Sequence, residues 1–164
     1  MSMNQVEQEL YRRLLDFRLD EPGVPFSYSD RLARENGWSM AYTFRVIAEY
    51  RKFLFLCCAS ETNPTPSDQV DQAWHLYLLY TKSYWIDLCR HTIGRELHHI
   101  PTEGRQERQR FIEQYLTTLE TYRHYFGNPP ADVWPDEKTR FANIRWMRIN
   151  LHTYIPVRRL WKSF

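Results

Sequence analysis

Seven residues in a row, Phe53-Leu54-Phe55-Leu56-Cys57-Cys58-Ala59, carry no charged, amide or hydroxyl side chain. With Tyr42, Val46 and Tyr50 upstream they fit one helix, which Ser39 can cap at its start. A helix whose second half is apolar all round has no face to give to water, so it belongs at the centre of a core. The run is also far shorter than the ~20 apolar residues that span a bilayer. Other elements of the same chain must therefore cover it.

Those covering elements read as amphipathic helices. Val6, Leu10, Leu14 and Phe17 recur every three or four residues, which predicts a helix from Asn4 to Leu19, ended by Asp20-Glu21-Pro22-Gly23. Ser27 stands three before Asp30, a capping-box start for a short helix reaching Gly37. Asn63-Pro64-Thr65-Pro66 is the clearest break, and Ser67 after it caps a helix from Asp68 to about Tyr80. A further segment restarts at Thr81 or Ser83, carries Tyr84, Trp85, Leu88 and Cys89, and closes at Gly94. Phe111, Tyr115, Leu119 and Tyr122 form the stripe of a long helix, about 106–126. Asn128-Pro129-Pro130 and Trp134-Pro135 form a rigid connection, Asp136 to Ile144 reads as helix, and 148–155 alternates like a strand or extended strap. The expectation is an all-α fold of five to six helices, with residues 1–144 as the helical domain and 145–164 as a C-terminal extension packed on it.

Charge is unevenly spread. Residues 138–164 hold seven basic side chains and no acidic one, while the first 137 hold fifteen basic and twenty acidic. Trp146, Met147, Ile149, Leu151, Tyr154, Ile155 and Trp161 would make a free tail very apolar, which favours a strap over the acidic body. The competing reading is a basic, aromatic arm for nucleic acid or an anionic surface. No recognised nucleic-acid-binding module accompanies it, so nucleic acid is not the expected partner. Five glycines form no Walker or Rossmann pattern, which argues against those nucleotide-binding enzymes. Cys57, Cys58 and Cys89 are too few and wrongly spaced for a disulfide framework. Free thiols, with no signal-peptide pattern at the start and no membrane span, lead us to expect a cytoplasmic protein.

The chemistry-bearing residues crowd into residues 70–102. Asp71 and His75 are four apart and share a helix face. Cys89, His98 and His99 follow downstream, and thiolate, imidazole and carboxylate are zinc ligands that need convergence in space rather than closeness in sequence. A zinc-type site would draw on His75, Cys89 and His98 or His99, with Asp71 as ligand or as the carboxylate orienting His75. There is no C-x-x-C and no H-E-x-x-H. The alternative is a structural clamp of Asp71, Trp74, His75, Tyr77 and Cys89, fixing helices by hydrogen bonds. A nucleophilic Cys89 activated by a histidine is a third option, for which the sequence offers only the adjacent Arg90.

The stretch PSDQVDQAWHLYLLYTKSYWIDLCRHTIGRELHHIPTEG resembles the motif of the glycine-rich domain-containing protein-like family, in particular its small bacterial members. PFSYSDRLARENGW, AEYRKFLFL and YLTTLETYRHYFGNPPADVWPDEKTRF agree with it as well, so the resemblance covers roughly residues 10–141 and only the helical part. The family pattern commonly reads Trp-His-x-His. The resemblance places His75 at its first histidine, Tyr77 where the second would stand, Cys89 at its cysteine and His98-His99 at its histidine pair. It implies fold boundaries and no reaction. With Tyr77 in place of a donor, the expected function is a noncatalytic helical module that binds another protein around a structural clamp. Metal binding with a structural or hydrolytic site is the alternative, and no residue is assigned a catalytic role.

Overall fold

Short polar side chains set where the helices begin. The computed structural model describes residues 3–60, 62–100, 107–142 and 155. Asn4 and Ser27 form complete capping boxes with Glu7 and Asp30, opening α1 (Gln5–Asp16) and α2 (Tyr28–Asn36). Ser39 and Ser67 accept hydrogen bonds from the amides of Tyr42 and Val70, opening α3 (Met40–Ala59) and α4 (Asp68–Leu78). A π-helix follows over Ser83–Ile93, then α5 (Arg108–Phe126) and α6 (Glu137–Arg140). Among the described residues the chain is all helical, with seven helices and no strand.

α3 is the central helix, in contact with α1, α2, α4 and α5. Val46, Tyr50, Phe53, Leu54, Phe55, Leu56 and Cys57 are all buried in it. Phe55 receives rings from Tyr11 of α1 and Tyr125 and Phe126 of α5, while Phe53 receives Trp74 of α4 and Trp134. Burying aromatic pairs of this kind is the main gain that offsets the entropy of ordering the chain. No helix among the described residues is long and apolar enough to cross a membrane.

One charged residue of α3 goes inward. Glu49 is buried, and its carboxylate accepts from Tyr122 Oη at 2.7 Å, Trp134 Nε1 at 3.0 Å and Lys52 Nζ at 2.8 Å. The three donors come from α5, from the proline-rich connection and from α3 itself, so one carboxylate ties three parts of the chain together. Both oxygens that burial strips of water gain partners, one on Oε1 and two on Oε2, which is what makes a buried carboxylate tolerable.

The helix bounds differ from expectation in ways that have causes. α1 stops at Asp16, because Phe17 turns extended and Leu19 is buried in the connection to α2. α4 stops at Leu78, two residues short, α5 starts at Arg108, and α6 is only four residues long. The segment after α4 is helical as expected but wound as a π-helix: the Gly94 and Arg95 amides both reach Cys89 O, at 2.8 and 3.1 Å. Gly94 ends it in the left-handed region, at φ 85°, which a residue without Cβ adopts freely. The strap over 148–155 and the extension 145–164, apart from Ile155, lie outside the described residues.

Two outcomes follow. Glu49→Ala strands the Trp134 and Tyr122 donors in the core, and urea denaturation is expected to show a loss of about 2–4 kcal/mol; a loss within about 0.5 kcal/mol, the range of ordinary surface changes, would show the network to be idle. The second concerns alkaline pH. Burial pushes the Tyr77 phenol up to about 12 and raises Tyr28 and Tyr50 as well. The folded state thus favours the neutral phenol. Its contribution is complete below the unfolded value near 10 and disappears as pH climbs from about 10 to about 12. Tyrosinate absorbance and the loss of helical circular dichroism should rise together in that window; full ionisation with the helices intact would contradict it.

Candidate metal centre

The Pro64-Thr65-Pro66 break and the Ser67 cap fix where α4 starts, and with it which residues face out. Val70, Ala73, Trp74 and Tyr77 are buried against the core. Asp71 and His75, four apart, take the outer side of the same helix, together with Asp68 at its first turn. His75 Nδ1 lies 3.2 Å from Asp71 Oδ2 and 3.1 Å from the Asp71 carbonyl oxygen.

His99 arrives from the irregular segment after the π-helix. Its Nε2 lies 2.8 Å from Asp71 Oδ1, its ring is 4.1 Å from the His75 ring, and the Trp74 indole packs against it edge-on at 4.7 Å. One donor atom from each of Asp71, His75 and His99 falls within 4.8 Å of the others. The site is graded in exposure: the side chains of His99, Asp71 and His75 are 14%, 22% and 51% exposed. Asp68 does not join them. It pairs with Arg140 at 2.6 Å, and burial raises its carboxyl, against the opposing pull of Arg140 and with a further push from Asp71.

The other expected donors lie elsewhere. Cys89 is buried, and desolvation raises its thiol, against the opposing pull of the Leu97 backbone and the Tyr84 hydroxyl. It lies outside the group of donors formed by Asp71, His75 and His99, and a buried, raised thiol is a poor nucleophile at neutral pH. His98 faces solvent, with Nε2 3.3 Å from Glu96 Oε2 and its ring over Trp85. Tyr77 lies on the buried side of α4, bonded to Ser83 Oγ at 2.7 Å and packed against Tyr28 and Tyr84. Residues two apart on a helix point to nearly opposite sides. A donor at position 77 would therefore not share a cation with His75, so Tyr77 takes nothing from the cluster.

A residue missed by sequence reasoning connects the two halves of the site. Trp74 Nε1 donates to Tyr84 Oη at 2.9 Å, and Tyr84 Oη donates to the Leu97 carbonyl at 2.5 Å. Five positions separate Tyr84 from Cys89. At 3.6 residues per turn they would sit roughly 140° apart. The wider i→i+5 winding brings both to the buried side, facing Leu97. Nothing in the residue pattern announces π rather than α winding.

A family profile matches residues 24–118, under the description UCP032817-like. The chain belongs to the UCP032817-like family. The match includes Asp71, Trp74, His75, Tyr84, Cys89, His98 and His99 and stops short of the basic C-terminus. The glycine-rich domain-containing label suggested by resemblance is not the description this family carries, and the family's description names no activity. No curated protein and no solved structure matches the chain.

Substitutions of the two adjacent histidines should separate sharply. His99→Ala removes a partly buried hydrogen bond to a carboxylate and is expected to cost about 1–3 kcal/mol in thermal or urea unfolding. His98→Ala, at the surface, should stay within about 0.5 kcal/mol. Equal effects would show that the Asp71–His99 contact is not formed in solution.

Proposed function

We propose that this protein binds a divalent first-row metal ion, zinc in type, through Asp71, His75 and His99. The observation that carries this is the meeting of one carboxylate and two imidazoles, from two separate parts of the chain, within 4.8 Å. Imidazole and carboxylate suit zinc and its first-row neighbours, whereas magnesium and calcium favour all-oxygen sets. The spacing supports it too. His99 and His75 approach the two different oxygens of the Asp71 carboxylate, at 2.8 and 3.2 Å, so small side-chain rotations bring one atom of each to the roughly 3 Å spacing that bonds of about 2.0–2.1 Å impose on neighbouring ligands.

Among the described residues three side chains converge; a centre with three protein ligands has coordination positions for water, and the half-exposed His75 leaves a route to them. Such an open centre lowers the pKa of bound water or polarises an oxygen-bearing ligand, whereas a closed four-ligand centre only holds a fold. Hydration or hydrolysis of a small oxygen-bearing ligand is the chemistry in keeping with that arrangement. The free thiols Cys57, Cys58 and Cys89 support a reducing, cytoplasmic setting.

A second reading is a noncatalytic protein-interaction module, with Asp71 and His99 as a plain clamp. It is favoured by two large apolar side chains beside the donors: Leu79, four after His75, and Ile100, next to His99, are 73% and 70% exposed. A partner on that face would cover both.

Elemental analysis of untagged protein decides between them. The metal reading expects about one equivalent of a first-row metal per chain, as for a single mononuclear site. That metal should be lost in His75→Ala and His99→Ala and retained in Cys89→Ser and His98→Ala. Protein that carries no metal, and whose melting temperature does not respond to added zinc, would overturn it and leave the clamp.

A further inference from the structure

We propose that Tyr84 is a positioning residue for this centre: by gripping the Leu97 carbonyl it presets the His99 imidazole against Asp71. The inference rests on the metal reading above. Asp71 and His75 need no such help, because α4 fixes both. His99 has no helix beneath it, since residues 95–100 are irregular. Its placement depends on whatever holds the chain just before it.

That hold is at Leu97, two residues upstream and buried. Its carbonyl accepts from Tyr84 Oη, so the π-helix holds the backbone of this segment directly. The Tyr84 hydroxyl also accepts from Trp74 Nε1. One oxygen thus joins α4, which carries two of the donors, to the segment that carries the third. Trp74 then closes the loop by packing its ring edge-on against His99. Partners that orient a metal ligand commonly govern affinity as strongly as lost geometry would suggest, by about 10–100-fold.

The test compares Tyr84→Phe with Trp74→Phe, both in the full chain. Tyr84→Phe removes two buried hydrogen bonds at this junction and Trp74→Phe removes the one that the two residues share, so a role in folding alone would lower stability in both without singling out metal. The positioning role separates them, because Trp74→Phe keeps the Tyr84–Leu97 bond. Zinc affinity from competition with a chromophoric chelator should fall about 10–100-fold in Tyr84→Phe and less than about 3-fold in Trp74→Phe. The visible spectrum of bound cobalt(II) should change only in the former. In metal-free protein, the imidazole 1H–15N correlations should show one His99 ring state in the wild type and in Trp74→Phe, and exchange-broadened signals in Tyr84→Phe.

Zinc affinity within twofold of wild type in Tyr84→Phe, with an unaltered His99 signal, would overturn the proposal. If the wild type takes up no zinc, the metal reading fails, and the His99 signals still decide whether Tyr84 holds the ring. Should Tyr84→Phe not fold, Tyr84→Met replaces it. That change also takes the hydroxyl from Leu97 while an adaptable apolar side chain fills much of the space, and it should shift affinity and ring signals in the same direction; no shift in either would likewise overturn it.

Discussion

Covering α3 on every side is the constraint from which the other elements take their places. A helix with one apolar stripe needs one partner, but the Phe53–Ala59 half of α3 has apolar side chains around its whole circumference. α1, α2, α4 and α5 therefore pack around it rather than beside one another in a row. The same geometry explains the inward carboxylate. Glu49 sits where α5 and the Trp134 segment both approach α3, and a charge there is stable only because Tyr122, Trp134 and Lys52 all turn towards it. The carboxylate does for the upper half of the helix what ring packing does for the lower.

The candidate centre is a by-product of how α4 joins this arrangement. Its buried stripe of Val70, Ala73, Trp74 and Tyr77 is spent on the core, so its acidic and histidine positions have nowhere to go but outward. The segment behind the π-helix then crosses that outer side, anchored by Leu97. Core and site share residues at this seam: the Trp74 ring packs on both Phe53 and His99, and its Nε1 donates to Tyr84. Changes to the site cannot be fully separated from changes to the fold.

The sequence made some of this legible and hid the rest for physical reasons. Helix starts at Asn4, Ser27, Ser39 and Ser67 were readable because capping is local chemistry, settled within four residues. The pairing of Asp71 with His75 was readable for the same reason, as an i,i+4 relation. Which of two adjacent histidines would meet them was not, since His98 and His99 lie on an irregular segment whose direction is set by contacts far away in sequence. Cys89 was grouped with the ligands because its type suited a metal; its burial beside Leu97 depends on a winding that no periodicity of apolar residues reveals. Nothing within AEYRK marks Glu49 as an inward charge. Two of its three partners are 73 and 85 residues away.

The π-helix gives the segment between α4 and His99 a property unlike the rest of the chain. An α-helix of eleven residues would tolerate many sequences provided its apolar stripe survived. Here the number of residues matters as much as their identity, because taking one residue out of 83–93 is the simplest way to restore ordinary winding. Tyr84 and Cys89 would then turn away from each other, and the chain would leave the helix pointing in another direction. Length in this stretch behaves like a functional residue: it can be lost by deletion although no side chain of the site has changed.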